Sequence, residues 1–124
     1  MENKIHDSPF GVLEFLSWNH HWNNYKYPNK ETLEKTVELM KEMGVRWVRM
    51  DFLWEDSEQE KGKFNFEKYD YIINLLTKNN IYILGLLSYS VSWAGANWNC
   101  PPYDDTHFVN YVSNVIMRYK DRVK

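Results

Sequence analysis

At 124 residues the chain has room for one ordinary domain or part of one, because domains cluster at about 100–150 residues. Fifteen Lys and Arg against 17 Asp and Glu leave a formal charge of −2 with no run of like charge, which excludes the electrostatic footprint of a nucleic-acid binder. No apolar stretch approaches the roughly 18 residues of a membrane span, residues 1–7 lack a signal-peptide pattern, and the single Cys100 has no intrachain disulfide partner, so a cytoplasmic location is the default expectation and no membrane partner is expected.

In chain order, residues 11–16 (GVLEFL) read as a first strand that runs into a polar, aromatic loop, SWNHHWNNYKYPNK. Leu33, Val37 and Met40 then fall at helical spacing, with Asn29 placed to cap the helix and Gly44 to end it. The next ten residues, VRWVRMDFLW, are rich in β-branched and aromatic types and predict a second strand ending near Trp54. A charged stretch with a turn at Gly62 leads to a second helical stripe, Tyr69, Ile72, Ile73 and Leu76, which stops at Asn79 and Asn80. Residues 81–87 are almost continuously apolar, the pattern of a strand buried on both faces, and a second aromatic loop follows from Tyr89. Phe108, Val109, Val112, Val115, Ile116 and Tyr119 mark a third helix, capped by Asp104 or Asp105.

The string β-α-β-α-β-α, with one amphipathic helix between successive strands, predicts parallel strands joined by right-handed crossovers. A doubly wound open sheet and a closed barrel both use that unit. The absence of a glycine-rich phosphate turn after the first strand, and the polar residues Glu14, Arg49 and Asp51 on the strands, favour the barrel. The expected fold is therefore α/β, an incomplete TIM (β/α)8 barrel. Its first three βα units have sequential parallel strands and form one partial domain over 1–124. A full barrel takes about 250 residues. The uncovered face of the arc, expected around Val12, Leu16, Trp47 and Leu87, would be marginal alone or would associate with a partner.

The stretch GVRWVRMDFLWEDSEQEKGKFNFEKYD, then NIYILGLLSYSVSWA and FVNYVSNVIMRYKDRV, resembles the first three units of retaining glycoside hydrolases. These belong to the large barrel clan that uses two glutamates, especially its β-xylosidase-like and cellulase-like families. The most specific element is the order Gly44, Arg49, Trp54, Glu58, Gly62, Phe66, Asp70. The resemblance implies a carbohydrate substrate with β-linkages and no cofactor. It also implies that Arg49, at the C-terminal end of the second strand, supports a nucleophilic glutamate by charge and hydrogen bonding. A barrel salt bridge with Glu14 or Asp51 is the other reading of Arg49.

Trp18, His20, His21, Trp54, Tyr89, Trp93 and Trp98 lie in the loops after the strands, where aromatic rings stack on sugar faces and polar groups meet hydroxyls. The same rings could instead pack the loops onto the barrel rim. His20, His21, His107 and Cys100 fit no metal-ligand spacing, so no metal is expected. The acidic residues Glu55, Asp56, Glu58 and Glu60 read most simply as a solvated loop, with Glu58 structural. By the resemblance the two catalytic glutamates belong to strands four and seven, and residues 122–124 resemble the approach to strand four. The chain alone is thus expected to be inactive, with a non-catalytic carbohydrate-binding or assembly module as the alternative.

Overall fold

In the computed structural model, which describes residues 8–19, 21, 24, 25, 27 and 29–124, the elements follow the expected order. Strand β1 spans Gly11–Leu13, helix α1 Lys30–Glu42, strand β2 Trp47–Leu53, a single turn of helix α2 Trp54–Ser57, helix α3 Glu67–Lys78, strand β3 Tyr82–Ser88 and helix α4 Asp105–Tyr119. Helix α2 carries too few residues to show a periodicity, and the sequence did not predict it.

The helices begin and end for local reasons. Asn29 accepts a hydrogen bond from the Thr32 backbone at the start of α1, and Asp104 does the same from Thr106 at α4. After α1 the chain turns at Gly44 with φ +78°, a conformation that strains any residue with a Cβ. Each helix buries one stripe: Leu33, Val37 and Met40 on α1, Tyr69, Ile72, Ile73 and Leu76 on α3, Tyr111, Val115 and Tyr119 on α4.

The three strands are parallel in the sequential order β1-β2-β3. That order excludes the flavodoxin-like 2-1-3 arrangement and is the one a barrel arc requires. Val123 continues the series by bridging in parallel to Ile83, with Lys124 N–H donating to the Ile83 carbonyl at 2.9 Å and Gly85 N–H donating to Lys124 at 3.0 Å. A Cβ on Gly85 would stand 2.8 Å from Val123 and 2.9 Å from the Phe52 ring, so only glycine lets that approach happen. Among the described residues no helix is long and apolar enough to cross a membrane.

Alternation along β2 sends Val48, Met50 and Phe52 into the helix-covered core, and Trp47, Arg49, Asp51 and Leu53 to the opposite, inner face. Val12 pairs with Val48 and Leu87 with Phe52, so both share the core-facing parity and pack against the core; Leu16 is fully buried. The expectation that Val12, Leu16 and Leu87 form the open face is therefore corrected. The open face is built from Leu13, Leu84 and Leu86, which remain 49%, 51% and 39% exposed, together with Trp47, whose ring packs at 5.0 Å on Tyr82.

The helix tyrosines pack against the core, and their hydroxyls also join elements. Tyr111 donates to the Phe52 carbonyl at 2.8 Å, Tyr71 to Glu34 on α1 at 2.8 Å, and Tyr119 to Asp70 at 2.6 Å. Asp70 also takes a two-pronged ion pair from Arg118, which ties α3 to α4 and, with the Tyr119 hydroxyl, holds its carboxyl below the ordinary range.

Candidate functional site

Arg49 is the third of seven residues in β2, paired with Leu13 on one side and Leu84 on the other. It lies mid-strand, not at the C-terminal end, because the strand begins at Trp47 and not directly after Gly44. Of its two expected partners it has Asp51, with 3.8 Å between Nη2 and Oδ1. The Glu14 carboxylate instead accepts from the Phe15 backbone at 3.0 Å.

Asp51, two residues further along the same face, is almost wholly buried and gathers the loop after β1. Its Oδ2 accepts from Trp18 Nε1 at 3.1 Å, and its backbone carbonyl accepts from Ser17 Oγ at 2.7 Å. The Trp18 ring thereby meets Tyr89 edge to face with centroids 5.6 Å apart, and Tyr89 meets Trp98 at 5.2 Å. Tyr89 follows the end of β3 with φ +65°, a left-handed conformation that costs about 1 kcal/mol in a residue with a Cβ. The loop beyond it is closed by Ser90 N–H donating to the Trp98 carbonyl at 2.7 Å.

These three rings form a wall of a cleft of about 590 Å³ at the C-terminal ends of the strands. Leu53, Asn19 and Ser90 line it too, and Glu55 and Asp56 of α2 supply carboxylates. Asp56 already accepts from Lys68 Nζ at 2.5 Å and from the Tyr69 hydroxyl at 3.1 Å. That hydroxyl also accepts from Leu53 N–H at 2.7 Å; burial, reinforced by the Asp56 charge, keeps it protonated far above the ordinary tyrosine range. Glu55 is exposed at the cleft. The arrangement offers apolar ring faces beside hydrogen-bond acceptors, which suits a ligand with C–H faces and hydroxyl edges.

Three of the expected binding residues, Trp18, Tyr89 and Trp98, thus share one site. Trp54 does not: it is fully buried, stacked on Tyr111 at 5.6 Å, and its Nε1 donates to Glu58 Oε1 at 2.8 Å. The helical turn that starts at Trp54 rolls its ring under the loop, so it offers no face to a ligand. Trp93 is half-buried, donates its indole N–H to the Glu58 carbonyl at 2.8 Å and packs edge-on against Trp54 and His107. It is not part of the cleft lining. His21 is exposed in a turn, also outside the cleft lining, and His20 lies outside the described residues.

Glu58 is 1% exposed, with Oε2 accepting from Gly62 N–H at 2.7 Å, so it anchors the loop instead of standing in solvent. The cleft carboxylates Glu55 and Asp56 were missed because a run of acidic residues reads as a solvated loop. The signal that could have found them was their position immediately after the strand end.

Residues 8–91 match the family model of glycoside hydrolase family 42, described as beta-galactosidase. Among solved structures, a family 39 glycoside hydrolase from Bacteroides cellulosilyticus WH2 aligns with a TM-score of 0.73 at 20% identity, over 96% of this chain and 24% of that one. A beta-galactosidase from Halorubrum lacusprofundi aligns at 0.64 and 22% identity, over 94% and 20%. An exo-beta-1,4-mannosidase from an Opitutaceae bacterium, strain TAV5, aligns at 0.64 and 18%, over 91% and 22%. The chain thus spans less than a quarter of each of these three structures. No curated protein matches the sequence significantly.

Proposed function

This chain belongs to glycoside hydrolase family 42, and from that premise we propose that it supplies the substrate-cleft wall of a retaining hydrolase acting on β-linked oligo- or polysaccharide. The observation that carries the reading is the row Trp18, Tyr89, Trp98 along one wall of the cleft at the strands' C-terminal ends, where enzymes of this barrel architecture act. Sugar rings would stack on those faces, and Glu55 and Asp56 would accept from hydroxyls.

Retaining hydrolysis needs an acid/base carboxyl and a nucleophile about 5–5.5 Å apart across the sugar. Strands β1, β2 and β3 end in Leu13, Leu53 and Ser88, and the nearby Asp56 is already engaged by Lys68 and Tyr69. By the resemblance to two-glutamate barrel hydrolases the pair would belong to strands four and seven of the whole barrel, and, as part of the same proposal, the 124-residue chain is inactive by itself. Arg49, on the inner face beside Asp51, would lie beneath the nucleophile and favour its ionised form.

A second reading, a non-catalytic carbohydrate-binding or assembly module, is favoured by one observation. Trp18, Tyr89 and Trp98 meet one another along one cleft within this chain. The open face at Leu13, Leu84 and Leu86 would then seat a partner. Calorimetric titration of the chain with lactose and cellobiose, beside an assay with an aryl β-galactoside, tests both. Binding without turnover supports the proposal; absence of binding to either sugar overturns it. Tight binding by a stable monomer favours the module.

A further inference from the structure

The sequence marks Asp51 only as a polar strand residue and a salt-bridge partner, yet three side chains from two segments of the chain converge on it. Ser17 and Trp18, from the loop after β1, bond its carbonyl and its Oδ2, while Arg49 approaches Oδ1 from the same strand face. A carboxylate with 6% side-chain exposure has little water to satisfy it, so the oxygen that accepts from Trp18 holds the indole N–H in a fixed direction, while Arg49 at 3.8 Å supplies a longer-range charge to the other. The indole N–H is the only donor of Trp18's ring, and because the ring is also anchored at Cβ, fixing that N–H restricts the angle of the ring. That plane is what meets Tyr89 edge to face.

We propose that Asp51 is a positioning residue, which orients the Trp18 ring in the cleft wall through one carboxylate oxygen and couples it to the Arg49 guanidinium through the other. The inference rests on the carbohydrate reading for its consequence and not for its geometry. Without the carboxylate, Trp18 would keep ring contacts such as those to Phe15 and Tyr89 but lose its hydrogen bond to Oδ2. A stacking surface held at one angle binds a sugar without first having to be ordered, so its loss weakens binding.

The test uses the full chain, labelled at its indole nitrogens, with the Trp18 signal identified by its disappearance in Trp18→Phe. In Asp51→Ala the Trp18 indole N–H is expected to shift toward the position of a free indole and to exchange with solvent at least tenfold faster, while the other indole signals stay. Asp51→Asn keeps the size and one acceptor oxygen, and is expected to restore part of the protection. Lactose and cellobiose affinity should fall about tenfold in Asp51→Ala. An unchanged Trp18 signal in Asp51→Ala, or one that moves together with all the other indoles, overturns the proposal. If the wild-type chain binds neither sugar while the Trp18 signal responds to Asp51→Ala, the carbohydrate reading fails and the positioning of Trp18 stands.

Discussion

Glu58 Oε1 accepts a 2.8 Å hydrogen bond from Trp54 Nε1, and this bond between two buried side chains decides what the loop after β2 is for. The same glutamate accepts from Gly62 N–H and, through its carbonyl, from Trp93. Glu58, which the sequence marks as structural within an acidic stretch, and Trp54, which reads there as a sugar platform, are together the internal frame of the loop that carries Glu55 and Asp56 to the cleft.

Glu58→Ala should therefore destabilise the chain by about 3 kcal/mol, since it leaves the buried Trp54 indole N–H without its acceptor and removes the bond that holds the turn at Gly62. Glu58→Gln, which keeps one acceptor oxygen, should cost less. Urea denaturation followed by circular dichroism measures both, and equal stability of the alanine variant and wild type would contradict the frame.

Trp98 is 56% exposed at the cleft wall, so Trp98→Ala should leave stability within about 0.5 kcal/mol while weakening sugar binding about tenfold. Trp54→Phe should show the reverse, a stability loss with affinity nearly kept once the protein is folded. Calorimetric titration separates the two, and a larger affinity loss in Trp54→Phe would return Trp54 to the binding surface.

The Arg118 bidentate pair and the Tyr119 hydroxyl lower the Asp70 carboxyl below its ordinary value. The sign follows: the stabilisation is fully present above the unfolded value of about 3.9 and is lost as pH falls through the lowered folded value. Asp70→Asn should cost about 1 kcal/mol at neutral pH, a modest figure because Arg118 is half exposed. The gap between wild type and variant should close as pH falls through that lowered value; a gap independent of pH would assign the effect to packing alone.

The chain by itself should release no nitrophenol from p-nitrophenyl β-D-galactopyranoside. Turnover that survives purification and is lost in Asp56→Asn would locate a carboxyl pair within these residues and reverse the assignment of hydrolysis to the whole barrel.

The inner sheet face leaves Leu13, Leu84 and Leu86 uncovered, and a parallel sheet is ordinarily covered on both faces. The chain should sediment as concentration-dependent oligomers, and Leu84→Lys with Leu86→Glu should shift it to monomer without loss of helix signal. A monomer at all concentrations would remove this face as a site of association.

The order of elements, the parallel topology and the core stripes of the helices were legible in the residues alone. Helical spacing at Leu33, Val37 and Met40, the cap at Asn29 and the turn at Gly44 are local properties, written within a few residues of where they act. The same locality made Trp18, Tyr89 and Trp98 recognisable as loop aromatics at strand ends. Which aromatics face a cleft is a different kind of fact. Trp54 and Trp98 look alike in sequence, and only the packing of α2 against α4 buries one against Tyr111 while the other stays at the wall. Likewise the strand register, and not the composition, assigned Val12 and Leu87 to the core and Leu84 and Leu86 to the open face. Asp51 drew its importance from Trp18, 33 residues away in the chain. Periodicity is set by the backbone and can be read along it, whereas burial and hydrogen-bond partnership arise between segments distant in sequence and exist only once those segments are folded together.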